Sequence, residues 1–159
     1  MEKLKKLNTG KMIISIAGAA IQLVIGIILL IVTIMTMATN RHFGFGQFLL
    51  YNGLMLLSLG VFVLYIIFNS IETGKSKSVL SGEKTFAQEC KSLTRLATVQ
   101  IIIDGAVIFI YSIFFIVALF RGFDTVLLTY VFGGLSVTVA LINLIVNVLS
   151  INNLKDGAN

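Results

Sequence analysis

The chain has 159 residues, of which 57% are hydrophobic and 12% are charged, and it contains no proline. This composition excludes a soluble globular domain, because such domains carry far more charged and polar residues. The net charge of +5 does not indicate nucleic-acid binding, because the basic residues lie at the ends of apolar runs, where they set topology and meet anionic lipid head groups. We therefore expect an integral membrane protein whose first partner is the lipid bilayer. Composition alone does not reveal its activity.

Four apolar runs, at about residues 12–37, 47–69, 97–120 and 125–150, are each long enough to cross a bilayer as a helix. The first run exceeds the apolar core of a signal peptide, so we expect it to remain as a span. The connections 38–46 and 121–124 are short, whereas 70–96 is long and charged. These lengths predict an all-α integral membrane four-helix bundle, a single domain over residues 1–159, with no cofactor.

The long connection divides into two parts. Residues 73–82 are rich in Gly, Ser and Lys, which favours a flexible loop. From Glu83 onward, Phe86, Leu93 and Leu96 stand among charges. This second part is either an amphipathic helix that lies at the membrane interface or a solvated extension of the third span.

The distribution of basic residues predicts the orientation in the membrane. Ten of the twelve Lys and Arg residues lie in the N-terminal segment, the long connection and the C-terminal tail, whereas Arg41 and Arg121 lie in the short loops. By the positive-inside rule, both termini and the connection 70–96 should be cytoplasmic. The excess of Lys over Arg and the many isoleucines are typical of a bacterial protein, which would place the chain in the cell membrane.

Small and polar residues form a stripe along the fourth span. Steps of four and three residues pass through Thr129, Gly133, Ser136, Ala140, Asn143, Asn147 and Ser150. Such a stripe faces other helices, because lipid offers asparagine no hydrogen-bond partner. Ser15, Gly18 and Gln22 share a face of the first span in the same way. The predicted helix-packing positions are Gly18, Gly53, Gly60, Gly133, Ser136 and Ala140.

Two pairs of segments suggest an internal repeat. GFGQFLL at 44–50 matches GFDTVLL at 122–128, and IAGAAI at 16–21 matches IDGAVI at 103–108. A duplicated two-helix hairpin would place two units of like orientation side by side. The alternative is convergent use of Gly and Phe at helix starts. Asp104 in the second copy stands where the first has Ala17.

Asp104 is the only acidic residue inside any apolar run. An ionised carboxylate in hydrocarbon costs about 3 kcal/mol, so it should face a polar interior. The predicted topology places other polar residues at similar depth, giving a predicted intramembrane polar site of Asp104, Gln22, Gln100, Tyr111, Asn143 and Asn147. We expect a pocket that opens to the cytoplasm. The alternative is that Asp104 reaches interfacial water or pairs with Arg95, while the amides only join helices.

Established catalytic motifs are missing from the sequence, so enzyme activity is not expected. His42 is the only histidine and has no cysteine or acidic neighbour, so we expect no metal site. These features favour a non-enzymatic accessory or structural subunit that acts through helix contacts with another membrane protein or a second copy of itself. The alternative is a small transporter or channel that uses the polar site around Asp104. A third functional class is immunity to a membrane-active peptide, and no residue of the sequence argues for or against it.

Overall fold

The computed structural model describes residues 2–39, 44–120 and 129–156. In this part of the chain α1 is Glu2–Thr39, α2 is Phe45–Leu80 and α3 is Phe86–Leu119; α4 begins with a π-helical turn, Thr129–Gly133, and continues as an α-helix over Gly134–Asp156. All four helices are long and apolar enough to cross a membrane. The expected all-α, multi-pass architecture is confirmed at this level.

The helices extend beyond the apolar runs that predicted them. α1 has 38 residues and α2 has 36, which correspond to lengths of more than 50 Å at a rise of about 1.5 Å per residue. The hydrocarbon core of a bilayer is only about 30 Å thick. The extra turns therefore continue at the end of the bundle that holds the N-terminus of α1 and the C-terminus of α4, which we call the terminal end.

The long connection is mostly helical, and the prediction of a flexible loop over 73–82 is wrong. α2 continues to Leu80, and Gly82 in the turn that follows has a φ of 76°, which glycine adopts without strain. The Gln88 side chain accepts a 3.0 Å hydrogen bond from the Thr85 N–H just before α3 begins. α3 then runs without a break to Leu119. Of the two alternatives for this segment, the extension of the third span is confirmed.

Buried positions recur at alternating steps of three and four residues in the helices, as in left-handed bundles. The seven-residue stripe predicted on α4 is buried at every position. On α1, Ser15, Gly18 and Gln22 are buried as expected, while aliphatic residues such as Ile27 and Leu23 are exposed. α1 packs mainly on α2, and α3 mainly on α4. The bundle is thus two antiparallel hairpins side by side, with a polar interior and an apolar outer surface.

The glycines predicted to pack divide into two groups. A Cβ on Gly18 would collide with the Phe62 ring, and one on Gly133 would lie 2.8 Å from the Tyr111 ring, so both allow close helix contacts. Gly53 and Gly60 instead lie on the outside of α2, where a Cβ would meet no atom within 4 Å. The contact expected there is not formed within the described chain.

Some predictions fall outside the described residues. These are the turn at 121–124, the repeat segment 122–128, Arg41, Arg121 and His42. The two hairpins have the like orientation that a duplication requires, but orientation alone does not establish common descent.

Candidate functional site

Polar side chains from all four helices fill the centre of the bundle. Each of the residues that carry them is, as a whole, no more than 2% exposed. We call this set the polar core, and it consists of Lys11, Ser15, Gln22, Ser58, Tyr65, Asn69, Glu72, Gln100, Asp104, Tyr111, Ser136, Asn143 and Asn147. The structure thus brings into one interior all six residues of the predicted intramembrane site.

Lys11, on α1, contacts the other three helices at the terminal edge of the apolar runs. Its ammonium group donates hydrogen bonds to Glu72 Oε2 at 2.6 Å, to Asn147 Oδ1 at 2.6 Å and to Gln100 Oε1 at 3.1 Å. All three donor positions of the ammonium group are therefore used. The Lys11–Glu72 pair is a salt bridge whose side chains are 1% and 3% exposed.

Amide and hydroxyl groups extend this layer across the bundle. Gln100 Nε2 donates to Asn69 Oδ1 at 3.3 Å, and Asn69 Nδ2 donates to Ser15 Oγ at 3.3 Å. Ser15 Oγ in turn donates to the Lys11 carbonyl at 2.9 Å. These hydrogen bonds form a closed circuit through α1, α2 and α3, and the hydrogen bond from Lys11 to Asn147 attaches α4 to it.

Sequence reasoning missed Lys11 and Glu72, because they stand just outside the apolar runs and were assigned to the N-terminal segment and the connection. The signal that could have found them is the spacing of buried residues. Lys11 precedes Ser15, Gly18 and Gln22 by the same steps of four and three, and Glu72 lies three residues after buried Asn69. This spacing of buried residues continues past the ends of the apolar runs, because α1 and α2 themselves extend past them.

Asp104 lies one helical turn deeper than Gln100 and is fully buried. Its Oδ2 accepts a 3.2 Å hydrogen bond from Asn147 Nδ2, and its carboxylate interacts with the nearby Tyr65 hydroxyl, although the geometry there falls short of a hydrogen bond. Arg95 is exposed. The alternative in which Asp104 reaches interfacial water or pairs with Arg95 is therefore wrong.

Several atoms around Asp104 have no hydrogen-bond partner among the described residues. They are Asp104 Oδ1, the Tyr65 hydroxyl, and both the oxygen and the nitrogen of the Asn143 side chain. Buried polar atoms are rarely left unpaired in proteins, and each exception calls for an explanation. Among the described residues, the one hydrogen bond that Asp104 fully forms is the one from Asn147.

A second polar layer surrounds the π-helical turn of α4. A π-helical turn leaves backbone groups outside the normal hydrogen-bond pattern and is frequent at functional sites. Here the Phe132 carbonyl accepts hydrogen bonds from Gln22 Nε2 at 3.1 Å, Ser58 Oγ at 3.2 Å and Ser136 Oγ at 2.9 Å. Ser58 and Ser136 also hydrogen-bond to each other. The Tyr111 hydroxyl lies beside both serines. We call these five residues the π-turn cluster.

Toward the opposite end of the bundle the polar residues continue. Asn52 Nδ2 donates a 3.3 Å hydrogen bond to Thr33 Oγ1, and Thr129 is buried at the start of α4. From Lys11 to Thr33 is 22 residues along α1, or about 33 Å at 1.5 Å per residue. Polar side chains thus follow the bundle axis over roughly the thickness of the hydrocarbon core.

The terminal end of the polar core is covered by apolar residues. Leu4, Leu93 and Leu154 form a buried cluster with Phe86 and Cys90 packed against it. We call the three leucines the leucine cap. The prediction of a pocket that opens at this end is therefore wrong, because the helices continue beyond the apolar runs and the leucine cap covers the polar core.

Glu89 reinforces the cap from the side. Its two carboxylate oxygens accept hydrogen bonds from Lys75 Nζ at 2.8 Å and Lys84 Nζ at 2.6 Å. Glu89 lies outside the apolar runs, and these hydrogen bonds, first that from Lys75 and then that from Lys84, lower the pKa of its carboxyl group. The three residues tie the C-terminal turns of α2 to the first turn of α3.

The charges inside the polar core do not balance. Glu72 and Asp104 supply two carboxyl groups, and Lys11 supplies one ammonium group, all of them buried. The ionised set would leave one negative charge in a medium that penalises it heavily. One further positive charge, a proton or a cation, is needed to make this interior neutral.

Transition-metal chemistry finds little support in this site. Over residues 2–39, 44–120 and 129–156, no three His, Cys, Asp or Glu side chains are grouped so that they could hold a metal ion. The donors of the polar core are instead amide, hydroxyl, carbonyl and carboxyl oxygens, which suit protons and hard cations. Comparison of the chain with protein-family models, with curated proteins and with solved structures finds no match.

Proposed function

We propose that this protein is a small membrane transporter or channel in which Asp104 binds and releases a proton. The observation that carries this proposal is the charge imbalance of the polar core, two buried carboxyl groups against the single Lys11 ammonium. Proton uptake at Asp104 neutralises the interior, and proton loss leaves it charged. A buried carboxyl group of this kind can exchange its proton with water whenever the bundle opens.

Asp104 is the better candidate of the two carboxyl groups. Glu72 is held by the Lys11 ammonium at 2.6 Å, which compensates its charge directly. Asp104 receives one amide hydrogen bond, and its second oxygen has no partner in the described chain. The proton is therefore assigned to Asp104, with the Tyr65 hydroxyl as a polar neighbour.

The unpaired polar atoms of the core also support this proposal. Networks that only fix helix register are stable when every member is satisfied, since each unpaired buried group costs about 1 to 3 kcal/mol. Here unpaired atoms lie at Asp104, Tyr65 and Asn143 and again at Gln22 and Tyr111. These groups lie in the interior of the bundle, which supports a polar path for the proton.

The setting of this activity follows from the sequence. Under the proposal the termini and the leucine cap face the cytoplasm of a bacterial cell, because the basic residues concentrate at that end. The two hairpins derive from one duplicated unit, and the charge at Asp104 arose in the second copy only. The polar site then faces the cytoplasm only after the leucine cap separates.

The test is proton flux into liposomes that contain the purified full chain, driven by a potassium diffusion potential and followed with an internal pH dye. Asp104→Asn keeps the shape of the side chain and removes its exchangeable proton. We expect the flux to fall at least about tenfold, which corresponds to about 1.4 kcal/mol on the rate-limiting step. Glu83→Gln makes the same charge change at an exposed position and should leave the flux unchanged.

Two results would overturn the proposal. One is a wild-type flux no greater than that of protein-free liposomes. The other is a flux that Asp104→Asn and Glu83→Gln lower equally, with both variants folded as judged by their elution from a sizing column. Either result would remove Asp104 from the mechanism.

A second candidate is an accessory or structural subunit that binds another membrane protein or a second copy of the chain. The observation that favours it is the outward position of Gly53 and Gly60, two small residues with open space beside them. Gentle extraction at native expression level, followed by mass spectrometry, tests it. A stoichiometric partner that is lost on Gly60→Leu would support this role, and recovery of the chain alone would count against it.

A further inference from the structure

The π-turn cluster places five oxygen atoms from all four helices at one level of the bundle. They are Gln22 Oε1, Ser58 Oγ, the Tyr111 hydroxyl, the Phe132 carbonyl and Ser136 Oγ. The side chains of these residues are at most 1% exposed. Gln22 Oε1 has no hydrogen-bond partner within the described residues, and the Tyr111 hydroxyl interacts with the two serines without a fully formed hydrogen bond. Each of these oxygens can accept about two hydrogen bonds, and the Gln22 amide and the three hydroxyls supply about five hydrogen atoms, so part of the acceptor capacity is left over.

We infer that the π-turn cluster is a binding site for a dehydrated alkali cation, with sodium as the ion to test. Hard cations in proteins are held by neutral oxygens together with backbone carbonyls that the local helix geometry has freed. The carbonyl of this cluster is that of Phe132, in the π-helical turn. It accepts hydrogen bonds from Gln22, Ser58 and Ser136, and their hydrogens must turn away before it can hold the ion. Five oxygens replace most of the hydration shell that the ion loses.

Gln22 provides the local change that binding requires. In the described state its amide nitrogen donates to the Phe132 carbonyl at 3.1 Å and its oxygen has no partner. Rotation of the amide group exchanges the two atoms at almost the same volume. The oxygen then points where the nitrogen was, and the Ser58 and Ser136 hydroxyls turn their hydrogens away from the ion. In the absence of sodium, the Gln22 amide nitrogen thus takes the place of the ion beside the Phe132 carbonyl. When sodium binds, the Gln22 amide oxygen becomes one of its ligands.

The charge that retains the cation comes from Asp104, so this inference rests on the proposed function. Asp104 precedes Tyr111 by seven residues on α3, about 10 Å along the axis. At that distance one buried carboxylate changes the affinity for a monovalent cation on the order of tenfold. A proton on Asp104 and sodium in the π-turn cluster therefore compete, because either one neutralises the polar core.

The experiment measures the thermal unfolding of the full chain in detergent, in sodium, potassium or N-methylglucamine chloride at equal ionic strength. We expect sodium to raise the melting temperature in a saturable way that N-methylglucamine does not reproduce. The half-saturating sodium concentration should fall about tenfold from mildly acidic to mildly alkaline pH, as Asp104 loses its proton. In Asp104→Asn this pH dependence should disappear.

Ligand removal identifies the site. Ser58→Ala and Ser136→Ala each delete one oxygen and should raise the half-saturating sodium concentration at least about tenfold. Ser112→Ala is the matched control, because Ser112 is exposed on α3 and its hydroxyl donates a hydrogen bond to the Ile108 carbonyl of its own helix at 2.7 Å. If a serine variant does not fold, Gln22→Glu offers a second test, since an added carboxylate should tighten sodium binding.

The outcomes separate this inference from the proposed function. Stabilisation equal in all three salts, or sodium binding unchanged by Ser58→Ala and Ser136→Ala, overturns the cation site whatever the proton flux. Sodium binding that depends on the two serines, in a protein that carries no Asp104-dependent proton flux, retains the site and overturns the proposed function. Potassium in place of sodium would assign the site to the larger ion.

Discussion

Replacement of Lys11 by methionine tests the energetic centre of the polar core. Methionine keeps much of the length and volume of the side chain but removes the ammonium group. The three oxygens that it contacts, on Glu72, Asn147 and Gln100, would lose their shared donor. Glu72 and Asp104 would then be two buried carboxyl groups without a counter-charge.

The expected cost follows from these contacts. Removal of one partner of a buried ion pair costs about 3 to 5 kcal/mol, because the other charge is left uncompensated. The Lys11–Glu72 pair is almost fully buried, with side chains 1% and 3% exposed, so solvent screening should reduce this figure little. The double variant Lys11→Met, Glu72→Gln removes both charges and should be more stable than Lys11→Met alone by about 2 kcal/mol.

The assay is reversible unfolding in mixed micelles, which yields the free energy of unfolding for each variant and the coupling energy of the pair. Lys6→Met is the control, because the Lys6–Glu2 pair has side chains 77% and 75% exposed and such pairs add little. The reasoning fails if Lys11→Met is as harmless as Lys6→Met. It also fails if Glu72→Gln does not rescue Lys11→Met.

Two further predictions concern packing and pH. Gly18→Val should destabilise the bundle by about 1 to 3 kcal/mol, because the added carbons collide with Phe62, whereas Gly60→Val on the open surface should change the free energy of unfolding far less in the same assay. The lowered pKa of Glu89 means that its ion pairs stabilise the fold above the ordinary carboxyl pKa and lose this effect as pH falls through the lowered value. The stability difference between wild type and Glu89→Gln should therefore shrink toward acidic pH; a difference that is constant with pH would contradict this account.

The interior faces of α4 and of part of α1 could be predicted from small and polar residues at steps of three and four. This worked for the whole α4 stripe and for Ser15, Gly18 and Gln22 on α1. It worked because an amide or hydroxyl group in a membrane helix has no alternative to burial against another helix. For such residues, the helical spacing and the lipid surroundings together allow only an inward-facing position.

The same logic failed where the pattern allows two environments. A glycine fits equally well at a helix contact and on a lipid-facing surface, so Gly53 and Gly60 could not be placed from spacing alone. Lys11 and Glu72 resembled surface charges, because their pairing depends on how two helices from distant parts of the chain align. The closure at the terminal end depends likewise on Leu4, a residue near the N-terminus that shows no apolar run around it.

The central claim, that the polar core holds an exchangeable proton at Asp104, is tested most directly by infrared difference spectroscopy of the purified protein as the pH is raised. The account predicts the loss of a protonated carboxyl band in the wild type and in Glu83→Gln, and the absence of that band in Asp104→Asn. A band of equal size in Asp104→Asn, or no protonated carboxyl band in the wild type at any pH at which the bundle stays folded, would contradict it.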